Sequence, residues 1–315
     1  MNKWLWVLVF WSGLAFSQAY PNKPIRLIVP FPPGGSNDIV ARMLATQLAG
    51  PLGQSVVIEN KGGAGGVLGT DSVAKATPDG YSLLLISVAY AFAPALYKTL
   101  PYDPATAFAP ITIVGRGPSA LTVHPSVPAN TVAELIALAK KSPGKLNYAS
   151  AGVGSFQHLS AALFMSQAGI DVVHVPYKGG GPAMADVMGG QAQIVMPSLI
   201  QVVPHIKSGR LKALGTSGPI RSPQLPGVPA IAETLPGYES QNWWGVLAPA
   251  GTPPPVLDRL YGAMSEVLQS KETGKRMESE GAETVRMTPP EFGRFIAAEL
   301  AKWVKVARDV GIQAE

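Results

Sequence analysis

The sequence contains no cysteine, and only 14% of its 315 residues carry a charge. The lack of cysteine excludes a disulfide scaffold, a thiolate metal site, a cysteine nucleophile and a lipid-anchored lipoprotein. Hydrophobic residues make up 47% of the chain, a composition that can fill a core and that excludes a disordered protein. A chain of this length is expected to form two domains.

Long basic runs are also absent. The 25 Lys and Arg outnumber the 20 Asp and Glu, but they are spread along the chain, with no basic run longer than Lys140-Lys141. Aromatic residues are not interleaved with them as they are on a nucleic-acid surface, so DNA and RNA are excluded as partners. After residue 19, no apolar run approaches the roughly 18 residues of a membrane-spanning helix, and we expect a soluble mature protein.

The N-terminus has the pattern of a secretory signal peptide. Lys3 supplies positive charge, residues 4–16 are almost wholly apolar, and Ser17-Gln18-Ala19 carries small residues around a cleavage site. The apolar stretch is shorter than the ~17–25 residues that span a bilayer, which favours a cleaved signal over a membrane anchor. We predict that residues 1–19 are a signal peptide, cleaved after Ala19, and that the mature protein is exported.

Short apolar runs alternate with helical patterns along the mature chain. The runs lie at residues 25–29, 56–58, 83–86, 111–114, 120–123, 146–149, 172–175, 194–196 and 211–214. Continuous Val, Ile and Leu runs indicate strands buried on both faces, as in parallel sheets covered by helices on both sides. The pattern predicts an α/β fold with two sheets. Residues 243–247 are a candidate strand that returns the chain to the first domain.

The C-terminal segment has the pattern of an amphipathic helix. Thr288-Pro289-Pro290-Glu291 is a capping box with proline at the first helical position. An apolar face follows at Phe292, Phe295, Ile296, Leu300, Trp303 and Val304. Such stripes usually face a core, so we predict that this helix packs on the first domain, although a partner-binding helix would have the same pattern.

Four glycine-rich segments lie between a predicted strand and a predicted helix, at residues 31–38, 59–66, 150–155 and 177–182. Glycine lets the backbone come close to a ligand, and a helix start presents unpaired amides and the positive end of the helix dipole. In open α/β sheets such loops lie beyond the carboxyl ends of the strands. Each loop alone is equally compatible with a tight turn, but together they favour an anion bound in a cleft.

Other site chemistries lack their motifs. Residues 63–68 break the GxGxxG pattern at its third glycine, and no GxxxxGK[ST] is present, so a nucleotide cofactor is not expected. His158 follows Ser155 by one helical turn, but there is no GxSxG elbow and no third group to orient the imidazole. The remaining histidines occur singly and the carboxylates are scattered, so neither a catalytic nor a metal site is predicted.

A further series of motifs runs through the mature chain. It comprises Tyr20-Pro21, residues 24–35 with Asp38 and Ala41-Arg42, Glu59-Asn60 with Gly63-Ala64-Gly65-Gly66, Pro78-Asp79-Gly80-Tyr81, Pro94-Ala95-Leu96-Tyr97, Leu100-Pro101-Tyr102, His174-Val175-Pro176-Tyr177-Lys178-Gly179 and Ala248-Pro249-Ala250-Gly251-Thr252-Pro253. In this order, and over essentially the whole mature chain, the motifs strongly resemble the Bug-type (TctC-like) periplasmic receptors of tripartite tricarboxylate transporters.

The resemblance implies an α/β Venus-flytrap fold like that of type II periplasmic binding proteins, with two domains joined by two crossovers. We expect domain 1 at residues 20–120 and 244–315, with the C-terminal helix packed on it, and domain 2 at residues 121–243. The implied function is capture of a small organic carboxylate for a membrane permease, by a monomer without enzyme activity, cofactor or metal. A receptor that feeds a sensor kinase and a cell-envelope enzyme are the alternatives.

Members of the family typically hold a carboxylate with backbone amides and ordered waters rather than with a buried arginine. By position, the resemblance implies ligand contacts at Phe31, Gly34, Gly35, Asp38, Ser87, Val88, Ala89, Ser150, Ala151, Gly152, Gly154, Ser155, His158, Tyr177, Lys178, Gly179, Pro197 and Ser198. These contacts come from the loops at the ends of strands in both predicted domains.

Two positions depart from the family pattern. Members often have Phe-Asp-Ser where this chain has Met196-Pro197-Ser198, and an acidic residue where it has Gln193. An enclosed ammonium needs a carboxylate or several acceptors, and Pro197 supplies neither a carboxylate nor a backbone donor. Asp38, the possible substitute, stands at a helix start where local amides are expected to occupy it. We therefore predict a di- or tricarboxylic or aromatic acid without an amine.

Overall fold

The computed structural model describes residues 20–309, and the predicted signal peptide lies outside the described residues. The strands of a first sheet are β1 (Ile25–Val29), β2 (Val56–Asn60), β3 (Ser82–Ser87), β4 (Phe108–Pro118), β10 (Gln241–Pro249) and β11 (Glu283–Thr284). Those of a second sheet are β5 (Ala120–Val123), β6 (Asn147–Ser150), β7 (Val173–Pro176), β8 (Ile194–Val195) and β9 (Lys212–Thr216).

Helices connect most of these strands. They are α1 (Ser36–Leu52), α2 (Val67–Ala74), α3 (Val88–Leu96), α4 (Val132–Lys141), α5 (Phe156–Ala168), α6 (Gly180–Met188), α7 (Leu199–Lys207), α8 (Pro254–Gln269), α9 (Lys271–Ser279) and α10 (Pro289–Asp309), with 3-10 turns at Ala64–Gly66 and Ile231–Glu233. Helix α4 has a side-chain cap, since the Thr131 hydroxyl oxygen accepts from the Glu134 N–H at 3.1 Å.

The two sheets share one topology. The first has the order β2-β1-β3-β10-β4-β11 and the second the order β7-β6-β8-β5-β9, so the two correspond strand by strand except for the additional edge strand β11. In each sheet, the strand that arrives from the other sheet is inserted antiparallel to both neighbours: β10 between β3 and β4, and β5 between β8 and β9. The sheets are therefore mixed rather than purely parallel. A strand buried on both faces has the same apolar run in either direction, so the sequence pattern does not distinguish them.

The chain crosses between the sheets twice, once at Ser119 between β4 and β5, and once between β9 and β10. This is the predicted α/β two-domain fold with two crossovers. Both predicted boundaries fall inside strands, because Ala120 already belongs to β5 and Trp243 to β10. The division of the chain into domains at residues 120/121 and 243/244 stays a prediction.

Burial on both faces explains the continuous apolar runs. In β3, Leu83 and Leu85 pack in one core cluster beneath α1 and α8, whereas Leu84 and Ile86 pack in a second cluster on the opposite face. All four side chains are at most 1% exposed. Neighbouring residues of a strand point to opposite faces, so each face of the sheet must supply its own helical cover.

The C-terminal helix α10 packs against α3 and β4, as predicted. Phe292 and Trp303 are buried in the core cluster on this face of the first sheet. Val304, predicted on the same apolar face, is 37% exposed, because it lies about 100° around the helix from Trp303. Across residues 20–309, no helix combines the length and the apolar character needed to cross a bilayer.

Candidate functional site

Five helices begin at one cavity in the cleft between the two sheets. This inner cavity has a volume of about 40 Å³ and is lined by Phe31, Gly35, Ser36, Asn37, Ser87, Ala151, Ser155, Phe156, Gln157, Gly180, Ser198, Gln201 and Asn242. The lining residues include the starts of α1 and α3 on one side and of α5, α6 and α7 on the other. Because the positive ends of five helix dipoles meet here, the cavity favours an anion.

Most of these helix starts have no side-chain cap. The N-cap residues Gly35, Ser87, Gly179 and Ser198 accept no capping hydrogen bond, whereas the Ser155 hydroxyl oxygen accepts from the backbone N–H of His158 at 3.3 Å. First-turn amides of a helix have no partner within the helix itself. The cavity therefore lies beside backbone donors that a bound carboxylate can satisfy.

Hydrogen bonding determines whether the Ser87 hydroxyl donates or accepts. The Trp244 indole nitrogen donates to Asn37 Oδ1 at 3.1 Å, so the Asn37 amide nitrogen faces Ser87 Oγ, at 3.3 Å. An amide nitrogen only donates, and Ser87 Oγ must therefore accept. The hydroxyl hydrogen of Ser87 stays available to a ligand.

Asn242 imposes the same polarity on two more serines. The backbone N–H of Trp243 donates to Asn242 Oδ1 at 3.1 Å, and the Asn242 amide nitrogen lies 3.2 Å from Ser198 Oγ and 3.5 Å from Ser36 Oγ. Both hydroxyl oxygens accept, as does that of Ser155 in its capping bond. Four serine hydroxyls around the cavity thus keep a hydrogen to donate, which is the polarity that a carboxylate requires.

Asp38 is buried beside this cavity, and both oxygens of its carboxylate already accept hydrogen bonds from other residues of the protein. Its carboxylate accepts from Arg42 Nε and from the Gly34 N–H through Oδ2, at 3.0 and 3.1 Å, and from Asn60 Nδ2 through Oδ1 at 3.0 Å. Burial opposes ionisation, but these hydrogen bonds outweigh it and lower the pKa of Asp38 below its ordinary value. The carboxylate is therefore a structural support; one of its partners is the expected local backbone amide, and the other two are the side chains of Arg42 and Asn60.

Two stacked histidines lie beneath the loop that enters α5. The ring centroids of His158 and His174 are 4.4 Å apart, and Tyr148 stacks on His174 at 4.7 Å. Gly154 N–H donates to His158 Nδ1 at 3.2 Å, and His174 Nε2 lies 2.7 Å from Ser150 Oγ. Burial lowers the pKa of each imidazole to about 4, and for His158 the neighbouring imidazole adds to the effect. The two rings hold this loop as neutral groups.

A larger outer cavity adjoins the inner one. It has a volume of about 670 Å³, and its lining shares Phe31 and Ala151 with the inner cavity. Lys178 also lines it, from the loop that precedes α6. One water needs about 10–15 Å³ of such volume, so the inner cavity of about 40 Å³ holds only a few waters. An organic acid therefore requires the cleft to open, or extends past Phe31 into the outer cavity.

The structure brings together part of the predicted site. Of the predicted residues, six line the inner cavity: Phe31, Gly35, Ser87, Ala151, Ser155 and Ser198. Those that line the outer cavity are Gly152, Tyr177, Lys178 and Gly179, and Ala89 lines a small space behind Phe31.

The other predicted residues have supporting positions. The carbonyl of Gly34 accepts from Gln201 Nε2, and the carbonyl of Pro197 accepts from the Ala120 N–H. Val88 is fully buried in the core. Asp38, Ser150, Gly154 and His158 make the loop contacts described above. Direct contact of a ligand with any of the predicted residues stays a prediction.

Seven residues that line the inner cavity are absent from the predicted set: Ser36, Asn37, Phe156, Gln157, Gly180, Gln201 and Asn242. Most of them adjoin predicted residues, so the nearest signal was the polar side chains beside the glycine loops. Asn242, just before the tryptophan pair of β10, had no such signal. Among the described residues, no group of three or more His, Cys, Asp or Glu side chains is arranged to hold a metal ion.

Comparison with known proteins identifies the family. Residues 40–312 match the profile described as the tripartite tricarboxylate transporter family receptor, TctC. The chain belongs to this receptor family. It is 40% identical over 298 residues to protein BugT of Bordetella pertussis, a match that covers 94% of this chain and 91% of BugT. The predicted Bug-type receptor is thus confirmed, as is a binding protein rather than an enzyme.

Solved structures of TctC relatives have the same fold. The periplasmic binding protein BugD superposes with a TM-score of 0.91 at 36% identity, over 94% of this chain and 100% of BugD. Rpa4515 of R. palustris, with adipate, gives a TM-score of 0.91 at 35% identity, covering 94% and 100% of the two chains. MatC of Rhodopseudomonas palustris, with bound malate, gives 0.87 at 32% identity, covering 91% and 99%. These matches confirm the predicted Venus-flytrap fold.

Proposed function

We propose that this TctC receptor captures a small organic carboxylate in the cleft between its two domains. The observation that carries the proposal is the polarity of the inner cavity. Five helix starts and the hydroxyls of Ser36, Ser87, Ser155 and Ser198 converge on it. Donors of this kind stabilise a carboxylate without a buried counter-charge.

The ligand is a carboxylate without an amine. None of the described side chains that line the inner cavity carries a charge, and the Asp38 carboxylate already accepts three hydrogen bonds. A protonated amine enclosed there would lose its water without gaining an ionic partner. Adipate and malate in the two R. palustris structures support a dicarboxylate, and tricarboxylic and aromatic acids are the other candidates.

The receptor delivers its ligand to the membrane permease of a tripartite tricarboxylate transporter. The family description supports this partner, and reporting to a sensor kinase is the alternative outcome.

The protein acts in the periplasm as a monomer after cleavage of residues 1–19. Intact-mass analysis of a periplasmic extract should find a chain that begins at Tyr20, whereas full-length protein in the membrane fraction would contradict export with cleavage.

Ligand class is tested by thermal shift followed by calorimetry. The panel contains succinate, malate, adipate, citrate and terephthalate, with aspartate and glutamate as matched acids that carry an amine. A ligand at 100 times its Kd adds about 2.7 kcal/mol to the free energy of unfolding, which is readily detected. A buried charge without a partner costs several kcal/mol, and about 1.4 kcal/mol changes affinity tenfold. We therefore expect an amine-free acid to bind at least about a thousandfold more tightly than either amino acid. Micromolar binding of an amino acid alone would overturn the proposal.

A further inference from the structure

A chain of side-chain amides crosses the cleft and ends in an oxygen without a partner. Gln201 Nε2 lies 3.2 Å from the carbonyl oxygen of Gly34, and Gln157 Nε2 lies 3.1 Å from Gln201 Oε1. Gln157 and Gln201 line the inner cavity and are only 5% and 4% exposed. The remaining atom, Gln157 Oε1, is buried and makes no hydrogen bond among the described residues.

The orientation of both amides follows from the carbonyl at the start of this chain. A backbone carbonyl only accepts, so Gln201 must direct its NH2 group at Gly34 and its oxygen at Gln157. That oxygen in turn requires the NH2 group of Gln157. The Gln157 oxygen is therefore left as an acceptor, and turning either amide around would place two donors or two acceptors face to face.

This acceptor belongs to a residue that lines the inner cavity, where the serine hydroxyls and helix starts are donors. The serine hydroxyls and helix starts around it suit the oxygens of a carboxylate, which cannot satisfy an amide oxygen. A buried acceptor without a partner is costly, and a site built to hydrogen-bond a hydroxyl strongly rejects the analogue that lacks it. The group that fits is a donor on the ligand close to its carboxylate.

We infer that Gln157 selects a hydroxy acid, with the ligand hydroxyl donating to Gln157 Oε1 while its carboxylate takes the helix starts and serine hydroxyls. The inference rests on the proposed carboxylate function and narrows its ligand class. Glycine at position 180 leaves room for the two amides, because a Cβ there would lie 2.9 Å from the amide nitrogens of both glutamines.

The experiment compares acids that differ by one hydroxyl, by calorimetry on the mature wild-type protein. The pairs are lactate and propionate, malate and succinate, citrate and tricarballylate, and mandelate and phenylacetate. In the pair that binds, we expect the hydroxy acid to bind about tenfold or more tightly than its partner. Equal affinity within that pair would overturn this inference and leave the proposed function standing. Binding of adipate or terephthalate with none of these eight acids would overturn this inference alone, whereas failure of every acid in both panels would overturn both.

Two variants assign the preference to its residue. Gln157→Met keeps the length of the side chain without the acceptor, so the hydroxyl preference should fall below about threefold. Gln191→Met, at an exposed position of the same half of the molecule, is the matched control and should keep the wild-type preference. Thermal unfolding verifies that each variant is folded. Should Gln157→Met not fold, Gln201→Met, which frees the Gln157 amide to turn, should weaken the preference instead. An undiminished preference in a folded Gln157→Met protein would overturn the inference.

Discussion

The indole nitrogen of Trp244 donates to the side-chain oxygen of Asn37 at 3.1 Å, and both residues are buried. This bond joins the return strand β10 to the first turn of α1. It determines which end of the Asn37 amide meets Ser87, and thereby whether the Ser87 hydroxyl donates or accepts at the cavity. The polarity of the binding surface is thus set by a residue behind it.

Asn37→Asp tests this dependence. The carboxylate can still accept from Trp244, but it replaces the NH2 donor at Ser87 with an acceptor, so the serine hydrogen is drawn away from the ligand. A negative charge also enters a cavity built for an anion. We expect carboxylate affinity to fall about 100-fold or more, since close like charges cost several kcal/mol.

Calorimetry with the acid found in the panel provides the measurement. Asn130→Asp is the matched control, because it adds the same charge at an exposed position next to Lys212, away from the cavity. Its affinity should equal that of wild type. Comparable affinity in the Asn37→Asp protein would disprove the assigned role of the Trp244–Asn37 bond.

The strands could be predicted from sequence because each face of each sheet is covered by helices. Leu83 to Ile86 alternate between two core clusters, which leaves a continuous apolar run visible in the sequence. The antiparallel insertion of β10 and β5 could not be predicted, because strand direction leaves no trace in such a run. The exposure of Val304 was missed for a related reason, since adjacent apolar residues on a helix need not share a face.

The glycine loops of the site and three of its serines, Ser87, Ser155 and Ser198, could be predicted, but its amide side chains could not. Asn37, Gln157, Gln201 and Asn242 come from four distant segments. Asn37 lies in a predicted glycine-rich segment and Gln157 adjoins the predicted His158, but the sequence around Gln201 and Asn242 has no such signal. Their meaning depends on which end of each amide faces which partner. That information exists only in the folded structure, where these partners meet.

Gly180→Ala tests the close packing of the cavity. A Cβ at this position would lie 2.9 Å from Gln157 Nε2 and 2.9 Å from Gln201 Nε2, so the amide pair must shift. We expect carboxylate affinity to fall about tenfold with the fold intact, the loss expected when buried hydrogen bonds are misaligned. Gly262→Ala is the control, because no atom lies within 4 Å of its added Cβ in helix α8. That variant should bind as wild type and gain about 0.5–1 kcal/mol of stability.

Glu299→Ala tests how the C-terminal helix is held. The Glu299 carboxylate oxygen Oε2 accepts from the indole nitrogens of Trp243 and Trp303, at 2.8 and 2.9 Å, in a buried position. Alanine would leave two indole donors without a partner, and the free energy of unfolding should fall by about 1–3 kcal/mol.

Denaturant unfolding measures that loss, while calorimetry should find ligand affinity unchanged. Glu299→Gln keeps an acceptor oxygen and should lose less stability than the alanine variant. Glu266→Ala, at an exposed position of α8, should change stability by less than about 0.5 kcal/mol. Equal losses in the Glu299 and Glu266 alanine variants would contradict the structural role assigned to the buried carboxylate.

The stacked pair His158 and His174 predicts how stability depends on pH. The pKa of each folded imidazole is about 4, below the ordinary 6.5, so between these values the unfolded chain binds more protons than the folded one. The stabilising contribution of the neutral pair is complete above about pH 6.5. This contribution is lost as the pH falls from 6.5 toward 4, and below pH 4 the histidine pair causes no further change in the free energy of unfolding.

The pH range in which the histidines affect stability can be separated from the range in which the carboxylates do. Hydrogen bonding from Arg221 lowers the pKa of Glu233 from 4.5 to about 2, so its contribution disappears only below about pH 4.5. A decline in melting temperature between pH 6.5 and 5 therefore reports the histidines, including His205, because burial and the nearby Arg210 also lower the pKa of its imidazole. In the double variant His158→Asn, His174→Gln, the new amides can take the positions of the hydrogen-bonding ring nitrogens but do not titrate. Its melting temperature should fall less steeply over this range than that of wild type, with His205 still contributing, and a decline as steep as that of wild type would refute the assignment to the buried pair.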